Sequence, residues 1–161
     1  MLRLTIPIAL LVMALGWGPT APAQSHPDFS GTWILDPSKS QAPVVPQSSQ
    51  LVVSQSDKVL TIEQTAKSPA GDQVVKLVYN TDGSLSTNST TGPNGSRIDF
   101  KSTTSWDGPT LVITTTADFQ GGFNQVERWT VSEGGKRLVV NGDIAVSGQK
   151  ATAKMVYAKK S

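Results

Sequence analysis

The sequence predicts an all-β fold: an antiparallel up-and-down meander of about 8–10 strands closed into a barrel. Three observations predict it. The chain after the first two dozen residues is rich in Thr, Val, Ser and Gly and shows alternating apolar and polar positions without helical periodicity. A unit made of a polar turn followed by a leucine recurs at SDKVLTI (56–62), TDGSLST (81–87), WDGPTLVI (106–113) and SEGGKRLVV (132–140). Its leucines, Leu60, Leu85, Leu111 and Leu138, lie 25, 26 and 27 residues apart, which is the length of two strands and two connections. Finally, so many short strands in succession leave sheet edges that closure into a barrel removes.

Taken in order, residues 1–23 come first. They carry one basic residue, Arg3, an apolar run from Ile6 to Leu15, and small residues at Ala21 and Ala23. This pattern predicts a secretory signal cleaved after Ala23, leaving a single soluble domain over 24–161. The apolar run falls short of the about 20 residues a membrane-spanning helix needs, so no transmembrane segment is expected. Strands are expected at 32–36, 50–55, 59–65, 73–79, 84–90, 97–105, 110–117, 125–132, 137–145 and 150–158. The long connection PSKSQAPVVPQSS (37–49) holds three prolines and predicts an irregular cover over one end of the barrel. In the loop TGPNG (91–95), Asn94-Gly95 suits a turn with positive φ.

Period-two alternation points one set of side chains inward: Leu60 and Ile62, Leu77 and Tyr79, Ile98 and Phe100, Leu111 and Ile113, Leu138 and Val140, Met155 and Tyr157. Lys76, Arg97, Asp99, Lys101 and Lys154 fall on the opposite face. Two stretches, Val74–Val78 and Leu138–Val140, are apolar on both faces, to be covered by the Pro-rich loop or by a partner.

Composition excludes several classes of function. There is no cysteine, so neither disulfides nor thiolate metal sites are available, and core packing must hold the fold. The only histidine, His26, falls in the segment before the first strand and reads as a tail residue. No zinc site, metal site or cofactor pattern is expected. The formal net charge is +2 with no dense basic run, which argues against nucleic acid as a partner. Asp57, Asp72, Asp82, Asp107 and Asp118 sit where turns are expected. Two Asn-x-Ser/Thr matches, at Asn88 and Asn94, are glycosylation acceptors only in a cell of the appropriate kind.

Gly31-Thr32-Trp33 at the first strand, followed by an antiparallel meander, resembles the calycins, the superfamily of lipocalins and fatty-acid-binding proteins. More narrowly, FSGTWILDPSKS (29–40) with the later TDG, WDG and WTVSEGGKRLVV stretches looks like bacterial secreted lipocalin-like domain proteins. The resemblance implies that Trp33 plugs the closed end of the barrel, that Gly31 allows close backbone approach, and that a basic residue of a late strand packs on the ring. Arg128 in QVERWTV (125–131) is the candidate, although alternation with Trp129 and Val131 turns Arg128 outward and Glu127 inward. Fatty-acid-binding proteins hold a carboxylate with an inward Arg-x-Tyr pair on the last strand. In KMVYAKK (154–160), Lys154 and Tyr157 lie on opposite faces and Met155 takes the inward position, so that anchor is missing.

Leu77, Tyr79, Phe100, Ile113, Glu127, Trp129, Met155 and Tyr157 are therefore the candidates to line a cavity, or to fill the barrel solid. Glu127 reads either as a polar group orienting a ligand or as half of a structural ion pair, the pair being preferred. Trp106, at a hairpin tip, reads as packing over the barrel mouth or as an exposed contact. Three functions remain. The first is a secreted or periplasmic binding protein for a small hydrophobic or amphipathic ligand. The second is a non-enzymatic interaction module with a packed barrel and a protein partner still unknown. The third is an enzyme using Glu127 and Tyr157 for proton transfer, disfavoured because no nucleophile–base pair or metal set is visible.

Overall fold

A computed structural model of the protein describes residues 26–68, 71–92, 95–119 and 121–161. The signal expected over 1–23, with Arg3 and the cleavage site at Ala23, lies outside the described residues, as does Asn94. Ten strands follow one another: β1 (Gly31–Leu35), β2 (Ser48–Gln55), β3 (Val59–Ser68), β4 (Gly71–Asn80), β5 (Ser86–Thr91), β6 (Arg97–Asp107), β7 (Thr110–Ala117), β8 (Phe123–Ser132), β9 (Arg137–Val146) and β10 (Gln149–Lys159). All pairings are antiparallel, and the sheet order is β4-β3-β2-β1-β10-β9-β8-β7-β6-β5. Pairing of the first strand with the last rolls the meander into a nearly closed barrel of calycin-like fold. The spans fall within a few residues of those alternation predicts, because every strand has one face in the core.

One of the four repeat leucines departs from the pattern. Leu60, Leu111 and Leu138 are fully buried, whereas Leu85 is 58% exposed. It sits in the turn before β5, whose inward positions are the polar Ser86 and Asn88.

Those two residues close the remaining seam. β4 and β5 form no backbone ladder with each other, and side chains take its place. The Asn88 amide accepts from the Val78 N–H (2.8 Å) and donates to the Val78 carbonyl (3.0 Å). Ser86 Oγ accepts from the Asn80 N–H (2.7 Å), and Asn80 Nδ2 donates to the Leu85 carbonyl (3.0 Å). Thr104 Oγ1, from β6, donates to the Asn80 carbonyl (2.6 Å). A primary amide carries one donor side and one acceptor side, like a peptide group, so Asn88 satisfies an edge residue as a strand would. Asn88 is buried with its nitrogen committed to Val78, which is incompatible with a glycan there in the folded protein.

The Pro-rich connection repairs the opposite wall. Its short 3-10 turn, Pro37–Lys39, is held by Asp36, which accepts from Ser38 Oγ (2.5 Å) and Lys39 Nζ (2.8 Å). The turn bulges out of the sheet while its flanks stay bonded to β10. Asp36 N–H donates to the Val156 carbonyl, Ser40 Oγ accepts from the Val156 N–H, and Gln41 exchanges two bonds with Lys154. Val45 then packs against the core while Val44 remains exposed, so the connection joins the wall at β10 where a cover over one end is expected. The two-sided valines of β4 find no such cover: Val74 is 80% and Val78 38% exposed.

At the base of the barrel, residues 26–30 cross beneath the strands. Gln55 straps them down, its Oε1 accepting from the Phe29 N–H and its Nε2 donating to the Pro27 carbonyl. Phe29 and Trp33 are fully buried, and Trp33 Nε1 donates to the Phe29 carbonyl at 2.8 Å. Above them Leu60, Leu111 and Leu138 fill the lower barrel solidly. His26 is not the free tail residue that its position suggests: its ring stacks on Trp106 at 3.9 Å. Trp106 in turn packs near Phe29, so it closes the base rather than the mouth.

Candidate functional site: an internal cavity beside Glu127

The cation over Trp33 is Lys159, with Nζ 5.2 Å from the ring centroid. Register explains it, since Trp33 lies directly opposite Lys159 across the β1–β10 pair. Gly31 makes room: its φ is +133°, and a Cβ there would stand 2.6 Å from Lys159 Cε. Arg128, the candidate from sequence, instead points outward, and its Nη1 meets Asp143 Oδ2 at 2.8 Å. Alternation decides this, because Trp129 occupies the inward position next to it.

Higher in the barrel the packing opens. A cavity of about 180 Å³ is lined on one side by Leu51, Ile62, Gln64 and Leu77 and on the other by Gln125, Glu127, Trp129, Val140, Gly142, Ile144, Ala153, Met155 and Tyr157. Its origin can be read from the ladder. Glu127 lies opposite Gly142 on β9, and Gly142 lies opposite Ala153 on β10. Two consecutive strands thus contribute no side chain and a single methyl at the level where the barrel is otherwise full. The space is the volume those two positions leave empty.

Polar groups face that space from several strands. On β8, period two lines up Gln125, Glu127 and Trp129 on one face. Gln125 Nε2 donates to Glu127 Oε1 at 2.7 Å, and Trp129 Nε1 donates to Oε2 at 3.1 Å. Both carboxylate oxygens are therefore engaged by neutral donors. The ion pair expected for Glu127 does not form: among the described residues no salt bridge includes it. No basic side chain lines the space it faces, and its two partners, Gln125 and Trp129, are neutral. Burial pushes the Glu127 carboxyl above its ordinary value, and the Trp129 hydrogen bond only partly opposes this.

Two tyrosines respond to the same environment. The Tyr157 phenol is pushed up to about 12, chiefly by burial, with the Ser49 hydrogen bond opposing and the Glu127 charge adding. Tyr79 is raised as well, by burial and then by Glu127. Both stay neutral at physiological pH and offer hydroxyl groups. Ser49, which bonds Tyr157, also accepts from Gln64 Nε2 at 3.3 Å. Among the cavity-lining residues there is no lysine, arginine or histidine.

Of the residues singled out from sequence, Leu77, Glu127, Trp129, Met155 and Tyr157 line the cavity. Tyr79 and Ile113 belong to the packed core just below. Phe100 lies elsewhere, edge-on to Phe123 at 5.4 Å between centroids. Sequence reasoning missed Gln64, Gln125, Gly142 and Ala153. The signal for Gln125 was present, two residues before Glu127 on the same face. Apolar alternation alone does not mark a glutamine as inward.

No protein-family model matches the sequence, and no curated protein matches it significantly. Among solved structures, the chain is similar to a zebrafish ileal bile acid-binding protein complexed with cholic acid. The likeness has 18% identity and a TM-score of 0.53, over 82% of this chain and 98% of that one. A second structure, EF1p2_mFAP2b bound to DFHBI, aligns with 82% of this chain and 94% of its own at 11% identity, with a TM-score of 0.42. At such identity the first likeness is one of fold, and it agrees with the calycin-like barrel built above from its own pairings.

Proposed function

We propose that this chain is a binding protein that carries a small hydrophobic or amphipathic molecule inside its barrel, in the periplasm or outside the cell. The observation that carries the reading is the cavity of about 180 Å³ at Gly142 and Ala153, lined also by Trp129, Met155, Leu77 and Tyr157. An apolar chamber with a few convergent polar groups is the usual form of a small-molecule site. The zebrafish protein of similar fold is complexed with cholic acid, which supports small-molecule binding by such a barrel. The size differs, however. Drug-sized ligands occupy about 300–1,000 Å³, whereas a cavity of about 150 Å³ takes benzene. The cavity of this chain suits a molecule of one ring or a short branched chain.

Native mass spectrometry of the purified protein, followed by organic extraction, tests the reading. A bound species of low mass is expected. A single bare mass, with no uptake of small hydrophobic probes, would show that the barrel is packed and overturn it. The location rests on residues 1–23, read as an export signal. Amino-terminal sequencing of protein from the cell envelope should begin at Gln24, and an intact Met1 on fully active protein would contradict export.

A further inference from the structure

The reading of the barrel as a ligand carrier leaves the chemistry of the ligand's polar end open, and the cavity constrains it. Its lining offers one carboxyl group, Glu127, and no basic side chain. The carboxylate is held in place from both sides, by Gln125 on Oε1 and Trp129 on Oε2, and these bonds fix its orientation without neutralising it. Other polar atoms that face the space, on Gln64 and Tyr157, are also uncharged. A buried carboxylate without a counter-charge is costly, and it is relieved either by a proton or by a cation.

We infer that the cavity binds a small organic amine, its ammonium group seated on the Glu127 carboxylate and its apolar body lying between Trp129, Met155 and Leu77. This inference rests on the carrier reading and adds the charge of the ligand to it. Three features of the site agree with it. A carboxylate carries about four acceptor positions, so two remain open after Gln125 and Trp129 are bonded. The Trp129 ring, in the same lining, offers apolar surface to the body of the ligand. The space next to Glu127, over Gly142 and Ala153, is where side chains are smallest and a ligand head group has room. An anionic ligand would meet the reverse: a carboxyl that repels it when ionised and no cation in the lining to offset it. The bonding of Glu127 to neutral donors only, against the ion pair expected from its sequence setting, is the observation on which the inference turns.

Three probes of similar shape decide it on the full chain by titration calorimetry: 2-phenylethylamine, propylbenzene and phenylacetate. The amine should bind on the order of tenfold or more tighter than phenylacetate, as expected for a desolvated charge pair. Glu127→Gln should lower the affinity for the amine by about tenfold or more and leave propylbenzene within about twofold. Phenylacetate binding as tightly as the amine would overturn the inference while leaving the carrier reading intact, provided propylbenzene binds. Amine affinity unchanged in Glu127→Gln, with propylbenzene still bound, would overturn it equally. Failure of all three probes to bind would overturn the carrier reading itself. The contrast between amine and carboxylate in the unaltered protein needs no variant, so the outcome does not depend on how well Glu127→Gln folds.

Discussion

Gly31, Trp33 and Lys159 show how much one residue can settle. Trp33 is fully buried under Phe29, so its ring contributes to folding rather than to any ligand. Trp33→Ala should cost about 3–5 kcal/mol of stability by loss of that burial, measured as a shift in the denaturant midpoint. An unchanged midpoint with weakened ligand binding would place Trp33 in the site instead. The role of Trp33 was legible from the Gly-x-Trp spacing. The identity of its cation was not, because Lys159 reaches the ring through the β1–β10 register, which no local pattern reveals. Glu127 offers a second test at this scale. Its native carboxyl is raised above the ordinary 4.5, mainly by burial, so the native state binds the proton more readily than the unfolded chain. That contribution is fully present below the ordinary value and is lost as pH rises through the raised one. Tyr79 and Tyr157, the other titratable groups facing it, are raised out of this range and stay neutral. Glu127→Gln removes the titration. Its melting temperature should gain on that of the parent between about pH 4 and about pH 7.5, and an equal gap at both pH values would contradict the assignment.

The β4–β5 seam is where the sheet depends on side chains rather than on its ladder. Asn88 alone makes two part-buried bonds to the Val78 backbone, and both would be unmade in Asn88→Ala. The loss should be about 1–3 kcal/mol. Hydrogen exchange should quicken at Val78 and Asn80 before it does at Val53 or Leu138, and a uniform increase across the barrel would argue that the seam is not a separate element. Nothing in the sequence announced this seam. Strand spans followed from alternation because both Leu77 and Tyr79 mark a buried face. Asn88-Ser89-Thr90 reads as a glycosylation acceptor, and only the topology shows that β4 and β5 are the two free edges. That the 37–49 connection is irregular was legible through its prolines. Its backbone bonds to β10 at Val156 and Lys154 were not, since they join positions more than a hundred residues apart.

At the scale of the whole molecule the barrel divides into a solid lower half and a hollow upper one. Lys159, Phe29, Trp33 and Leu138 secure the former, and Gly142 and Ala153 leave room in the latter. Apolar periodicity made the lower half legible. The upper half depends on where small residues on β9 and β10 fall in register with Glu127, a relation that exists only once the strands are paired. Ala153→Met should fill the chamber and abolish uptake of a small hydrophobic probe while the melting temperature holds within a few degrees. The most direct test of the account is a high-resolution crystal structure of the protein with 2-phenylethylamine. The account predicts a ring between Trp129 and Met155 and a nitrogen within hydrogen-bond distance of Glu127. A chamber closed by collapse of Met155 and Leu77 against Trp129, with no ligand inside the barrel, would contradict it.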